Sequence, residues 1–330
     1  MKNTFYRFLF CILIFGILFS FASCSKSSST AAENDKINIV VTTFPCYDFV
    51  RATTKDVDNI QIKMLIKPGA EIHSYDPTPQ DLIAIQKSDL FVYNGGESDE
   101  WVDEILISME ENTPKSLRLI ESVALLEEEH FDEEHFHEHE EECHHGHSAE
   151  ELEADEHVWT SPENARKMVD FVAKALESLE ELKFENKAKI KENAEDYKNQ
   201  IDEVESEIKQ VLESKSEKFI VMGDRFPLQY FAKYYGIEYL AAFSGCSSAV
   251  EASTQTIVKL INTVKEKDLP AVFYIELSNH KIADTVAEAT NVPALELFSV
   301  QNISKKDFDN GETWVSLMKR NALALEKGMR

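Results

Sequence analysis

Short apolar, β-branched runs alternate with longer segments of helical periodicity along most of the chain. In the first half the runs are K-I-N-I-V-V-T-T-F from Lys36, Q-I-K-M-L-I from Gln61 and L-F-V-Y-N-G from Leu90. The second half repeats the habit with K-F-I-V-M-G from Lys218, I-E-Y-L-A-A-F from Ile237, P-A-V-F-Y-I-E from Pro270 and P-A-L-E-L-F from Pro293. Strands that alternate with helices predict an α/β fold with parallel sheets covered on both faces. Between the halves lies a charged region of helical pattern, 162–215, opened by Thr160-Ser161-Pro162, a cap followed by proline at the first helical position. From about Glu185 to Ser214 it contains neither Gly nor Pro. About thirty residues at 1.5 Å each make a rod of roughly 45 Å, long enough to bridge both halves. Its apolar positions, 190, 201, 204, 208, 211 and 212, are too sparse for the sustained seam of a coiled-coil arm. The expected organisation is an N-terminal lobe over 37–183, a linking helix over 184–215 and a C-terminal lobe over 216–330, with the apolar core split between the lobes.

The N-terminal 36 residues follow a different pattern. Lys2 and Arg7 flank the start of an apolar run at 8–22, which has the length of a signal-peptide core rather than a membrane span. It ends in F-A-S-C, and small residues just before a cysteine are what a lipoprotein signal peptidase requires. Residues 1–23 are therefore read as a lipoprotein signal peptide, Cys24 as the lipid anchor, and the polar stretch 24–36 as a tether. The alternative at this point is a plain secretory signal in which Cys24 is incidental. Either reading sends the chain outside the cytoplasm; the first fixes it by lipid to a bacterial membrane, at the periplasmic face or cell surface.

Charge narrows the function classes. Losing Lys2 and Arg7 takes the formal net charge from −26 to −28, which repels nucleic acid and favours cations. Of the five cysteines only Cys46, Cys143 and Cys246 lie beyond the anchor, too few for a disulfide framework. Cys46 and Cys246, each near a strand end, are read as a disulfide between the lobes, as a soft edge to a metal site, or as two unpaired buried thiols.

Histidine placement carries the chemistry. Seven of the ten histidines, His130, His135, His137, His139, His144, His145 and His147, fall in one acidic run, E-E-E-H-F-D-E-E-H-F-H-E-H-E-E-E-C-H-H-G-H. The segment 127–150 has too little apolar content to pack and reads as a mobile loop whose imidazoles and carboxylates gather around a borderline-soft cation. Cys143 is a candidate soft ligand within it. The bland alternative is a solvated acidic run. Two of the remaining histidines sit in turn-rich contexts, His73 in K-P-G-A-E-I-H-S-Y-D-P-T-P-Q-D and His157 in D-E-H-V-W-T-S-P. His73 follows an expected strand and His157 precedes an expected helix, the places where α/β folds bind ligands.

At these two segments the chain resembles the metal-specific substrate-binding lipoproteins of bacterial ABC importers, the zinc and manganese (ZnuA-like) group. G-D-R-F-P-L-Q-Y-F-A-K-Y-Y-G-I and F-Y-I-E-L-S-N-H-K-I-A-D-T-V-A-E-A-T are similar to that group's third and fourth segments. The resemblance runs from about residue 36 to the C-terminus. It implies two lobes bridged by a long rigid helix, one metal in the cleft between them, little hinge motion, and a membrane permease as the partner that accepts the ion. It also implies ligands at His73 and His157. The family's third ligand falls around Gly223 to Arg225, where Asp224 is the candidate. Further candidates are Glu276, either as ligand or as a brace to the site, His280 on the same turn, and Gln301 in F-S-V-Q-N. The cargo implied is zinc in preference to manganese, and no bond is broken. Two rival classes remain open here: a zinc hydrolase, disfavoured because no H-E-x-x-H motif is present, and a surface adhesin or metal-storage lipoprotein.

Overall fold

The computed structural model describes residues 36–129, 154–245 and 252–330. The leader, Cys24, the seven clustered histidines, Cys143 and Cys246 lie outside the described residues. Each strand run in the described part is followed by a crossover, and the strands accordingly pair in parallel. The first sheet contains β1 (Ile37–Val41), β2 (Ile60–Met64), β3 (Leu90–Tyr93) and β4 (Ser116–Arg118), in the order β2-β1-β3-β4. The second contains β5 (Phe219–Arg225), β6 (Glu238–Phe243), β7 (Val272–Ile275) and β8 (Ala294–Leu297), in the order β6-β5-β7-β8. The two sheets thus share one topology.

Burial follows position in the sheet. Central β3 is buried at every residue, whereas edge strand β2 alternates between half-buried and exposed. In register, Val41 of β1 lies beside Met64 of β2 and Val92 of β3. Strand order reverses between β1 and β3 and again between β5 and β7, so loops leaving the carboxyl ends diverge and open a crevice. All the candidate ligands among the described residues sit at or beyond such carboxyl ends.

The helices are α1 (Phe44–Thr53), α2 (Pro79–Gln86), α3 (Glu100–Ser108), α4 (Pro162–Glu177), α5 (Phe184–Glu213), α6 (Gln229–Tyr235), α7 (Thr254–Glu266), α8 (Lys281–Thr290), α9 (Lys305–Asp309) and α10 (Trp314–Gly328). None of these is long and apolar enough to cross a membrane. The charged region of helical pattern is two helices, and α5 is its 30-residue second part. Helix α5 packs against α1 and α4 on one side of the fold and α10 on the other. Its buried stripe is Ile190, Asn193, Ala194, Tyr197, Ile201, Val204, Glu205, Ile208 and Leu212, recurring every three or four residues.

Buried polar groups on that stripe fasten neighbours. Tyr197 donates to Asp48 of α1, whose carboxylate also accepts from the Trp314 backbone N–H at 2.8 Å. Glu205 receives hydrogen bonds from Arg166, Lys209 and Tyr234. Burial alone would raise this carboxyl, but those donors hold it down at about 2.

The apolar core is not divided between the halves, as the sequence suggests. One cluster runs from Ile39 and Val92 through Trp159, Met168 and Ile201 to Phe273 and Trp314, with a smaller cluster against each sheet's other face. Helix α5 contributes to the continuity, because its stripe packs against α1 and α4 of the first half and α10 of the second.

Candidate metal centre

His73 lies on the loop that leaves β2. Gly69 supplies the left-handed backbone of its turn, at φ +83°, and the Ala70 N–H closes the turn on the Lys67 carbonyl at 3.0 Å. From the other half of the fold, the Asn302 amide donates to the carbonyls of Lys67 and Ala70 at 3.0 and 2.8 Å. The loop is therefore tied at both faces. Buried Ile72 anchors the residue before the histidine, and Ser98 Oγ lies 3.1 Å from His73 Nδ1.

His157 is completely buried. Asp155 Oδ1 accepts from its backbone N–H at 2.7 Å and lies 2.8 Å from its Nδ1. That carboxylate holds the proton on Nδ1 and leaves Nε2 as a lone pair, which has no hydrogen-bond partner. A buried ring nitrogen without a partner is costly unless something electrophilic meets it.

Glu156 completes the arrangement. Its Oε2 accepts from the Ser98 N–H at 2.8 Å, its Oε1 from the Ser98 hydroxyl, and the Gln301 amide reaches Oε1 at 3.4 Å. Gly96 makes room for it: a Cβ there would lie 2.4 Å from Glu156 Cβ, and the backbone φ of +93° already favours glycine. Donor atoms of His73, Glu156 and His157 all lie within 4.8 Å of one another, close enough to share one cation.

Electrostatics fit a missing positive charge. Burial, with the charges of His157 and Arg225, holds His73 down at about 4, so it is a neutral imidazole at ordinary pH. For His157 burial works the other way from the net result. It disfavours the charged ring, but the Asp155 carboxylate, then Glu156 and Glu128, outweigh it and raise the pKa. Burial raises Glu156. Two acids and a raised imidazole in one buried place describe a site that attracts cations.

The other expected ligands are placed differently. Asp224, near the end of β5, is outside the three-residue group; its Oδ1 accepts from the Arg225 N–H at 2.8 Å and its Oδ2 is buried without a partner. Glu276 is also outside it, because both its oxygens accept from Ser299, from the N–H and the hydroxyl, each at 2.7 Å. Burial pushes that carboxyl up to about 7. It braces the loop after β8. Gln301 does touch the group, through Glu156. His280 is exposed, pairs with Asp284 at 2.8 Å and leans on Tyr274. Cys46 is a free, fully buried thiol that accepts from Thr43 at 3.4 Å, and burial pushes it up to about 12. It is not part of the group.

Glu156 escaped the sequence reading because neighbours on a strand point to opposite faces, so an adjacent pair seldom converges. Here the backbone is irregular, between an isolated bridge at Ala154 and a 3-10 turn at Val158–Thr160, and both side chains turn the same way. The usable signal was the acid immediately before the histidine in D-E-H.

A family described as "Zinc-uptake complex component A periplasmic" matches residues 39–328. The chain belongs to this family. All three clustered residues lie inside the matched span. The chain is 30% identical over 311 residues to the high-affinity zinc uptake system protein ZnuA of Bacillus subtilis (strain 168), covering 93% of each. It is 28% identical over 304 residues to the zinc-binding lipoprotein AdcA of Streptococcus pneumoniae, covering 91% of this chain but 57% of that one. The chain thus spans little more than half the length of that curated relative. The crystal structure of the metal-dependent lipoprotein YcdH from Bacillus subtilis superposes with a TM-score of 0.72 at 25% identity, over 89% of this chain and 99% of that one.

Proposed function

We propose that this chain is the extracytoplasmic capture component of a zinc importer, taking Zn2+ at His73, Glu156 and His157 and passing it to an ABC-type membrane permease. The observation that carries the reading is the buried, unpartnered Nε2 of His157, set beside the donors of His73 and Glu156. Two neutral imidazoles and a carboxylate suit zinc, a borderline-soft ion, better than the all-oxygen sets that harder cations prefer. The likeness to the zinc uptake protein ZnuA and the zinc-binding lipoprotein AdcA supports the same cargo. In this reading 37–183 and 216–330 act as the lobes that present the site, 184–215 is the strut between them, and Cys24 carries the lipid anchor.

The test is metal analysis and zinc titration of the tag-free protein after chelator treatment, in a background lacking residues 130–150. His73→Ala combined with His157→Ala is expected to abolish the tight equivalent and leave the metal-free melting curve nearly unchanged. Undiminished zinc affinity in the double variant would refute the assignment.

A further inference from the structure

Three protein donors leave zinc one short of the four ligands it prefers. We propose that a small planar oxyanion, a carboxylate or hydrogencarbonate, fills the fourth position and is held by Arg225, so that the protein takes its cargo as a metal–anion pair. The inference rests on the zinc reading of His73, Glu156 and His157.

A cavity of about 250 Å3 lies beside the His73 loop, with Gly69, Glu71, Arg225, Glu276, Gln301 and Asn302 in its wall. It approaches the group at two points. Gln301 contacts Glu156, and Arg225 is ion-paired with Glu71, two residues before His73 on the same loop. Arg225 ends β5, where the pairing with β6 is irregular between Met222 and Arg225. Asp224, the residue before it, is not in the cavity wall.

A fixed guanidinium that near opposes a dication more strongly than it opposes a protonated imidazole, because the repulsion scales with charge. The wall does not cancel it. Glu71 is Arg225's ion-pair partner at 3.5 Å, but its side chain is 55% exposed, and such pairs are weak and screened. Glu276 offsets it only in part, because burial pushes its carboxyl up to about 7; Asn302 spends its amide N–H groups on Lys67 and Ala70, and Gln301 brings no charge. Glu156 and Asp155 bring the donor group its own negative charge, and an oxyanion from solvent would add one set directly against Arg225. A planar oxyanion suits the place, with one oxygen on the metal and another on the guanidinium fork, which matches carboxylate geometry.

The experiment titrates zinc into the chelator-stripped, tag-free protein against a chromophoric competitor, in a CO2-free perchlorate buffer, then with hydrogencarbonate or acetate added in separate arms. Wild-type affinity is expected to rise at least about fivefold with either anion, the lower end of ordinary coupling between two ligands. Arg225→Met should lose the rise. The carbon resonance of 13C-hydrogencarbonate should broaden only when protein and zinc are both present, a measurement that needs no variant. The same wild-type affinity in every buffer, with an unaltered carbon resonance, would overturn the proposal. So would an Arg225→Met protein that binds zinc more tightly throughout, since Arg225 would then act by repulsion alone. A Gln301→Leu protein that loses tight binding while anions stay silent would give the fourth position to Gln301. If His73→Ala binds zinc undiminished, the site itself is misassigned and this inference falls with it.

Discussion

Asp155→Asn separates the orientation of a ligating imidazole from its charge. Asp155 is almost fully buried, and one oxygen serves both the backbone N–H and Nδ1 of His157, at 2.7 and 2.8 Å. The amide keeps the volume and an accepting oxygen but removes the carboxylate that raises the imidazole's basicity. Losing such a partner behind a metal-bound histidine typically costs 10–100-fold in affinity, or about 1.4 to 2.7 kcal/mol. The pH dependence makes the test specific. A protonated ring cannot bind metal, so wild-type affinity should fall as pH drops through the raised pKa of His157. His73 contributes little to that loss, because burial holds it at about 4. Without the Asp155 charge the pKa of His157 falls relative to wild type, so the variant keeps a neutral ring to more acidic pH. The deficit of the variant should therefore be largest near pH 8 and shrink towards about pH 5.5. Competition titration across that range on protein lacking residues 130–150 measures it. A deficit that stays constant or grows in acid, or none at pH 8, would refute the account of His157. In the metal-free protein, the stabilisation from a raised histidine is complete below its ordinary value of about 6.5 and is lost as pH rises through the folded value. Asp155→Asn should accordingly lower the melting temperature more at pH 6 than at pH 8.

Other outcomes follow from single features. Gly96→Ala sets a Cβ 2.4 Å from Glu156 Cβ at a φ of +93°; it should cost about 1–3 kcal/mol of stability and weaken the tight site, and wild-type melting and affinity together would contradict this. Deleting residues 130–150, which spares the Glu127–Ala154 bridge, should remove several weak zinc equivalents and keep one tight one; equal stoichiometry by calorimetry would show that the clustered histidines do not bind zinc. Cys24→Ala should release the chain from membranes, and a variant that still resists high-salt washing would end the lipoprotein reading. His280→Ala should leave zinc affinity unchanged within error in the same titration, since that ring is exposed and paired with Asp284.

Legibility in the sequence tracked how local each cause is. Seven of the eight strands announce themselves as β-branched or aromatic runs; β4 does not, being three residues, Ser116–Arg118, with only Leu117 buried. The ends of α5 lie close to the expected ones because no Gly or Pro interrupts it, yet its apolar positions look too few. Tyr197 and Glu205 fill the gaps in the stripe, and burying them depends on Asp48, Arg166 and Tyr234, far away in sequence. The site divides the same way. His73 and His157 stand out because unclustered histidines are rare in this chain and these two sit at strand and helix ends. Asp224 and Glu276 satisfy the same positional rule, but the rule says nothing of direction, and Ser299 takes both oxygens of Glu276.

What brings the donors together is a set of hydrogen bonds between distant segments. Trp159 donates to the Ser299 carbonyl at 2.8 Å, Trp314 to the Trp159 carbonyl at 2.9 Å and Tyr230 to the Asp155 carbonyl at 2.9 Å. Asn302 pins the His73 loop from the opposite half. Each partner is buried or half-buried, and none of these bonds involves a metal. The D-E-H segment and the His73 loop are therefore held before any ion arrives, so a bound cation has little backbone left to order. The clustered histidines sit on a run that composition predicts cannot pack, and gathering them around an ion costs ordering at every residue. That difference in preorganisation, more than the number of imidazoles, is why three donors outside the run should hold zinc more tightly than seven within it.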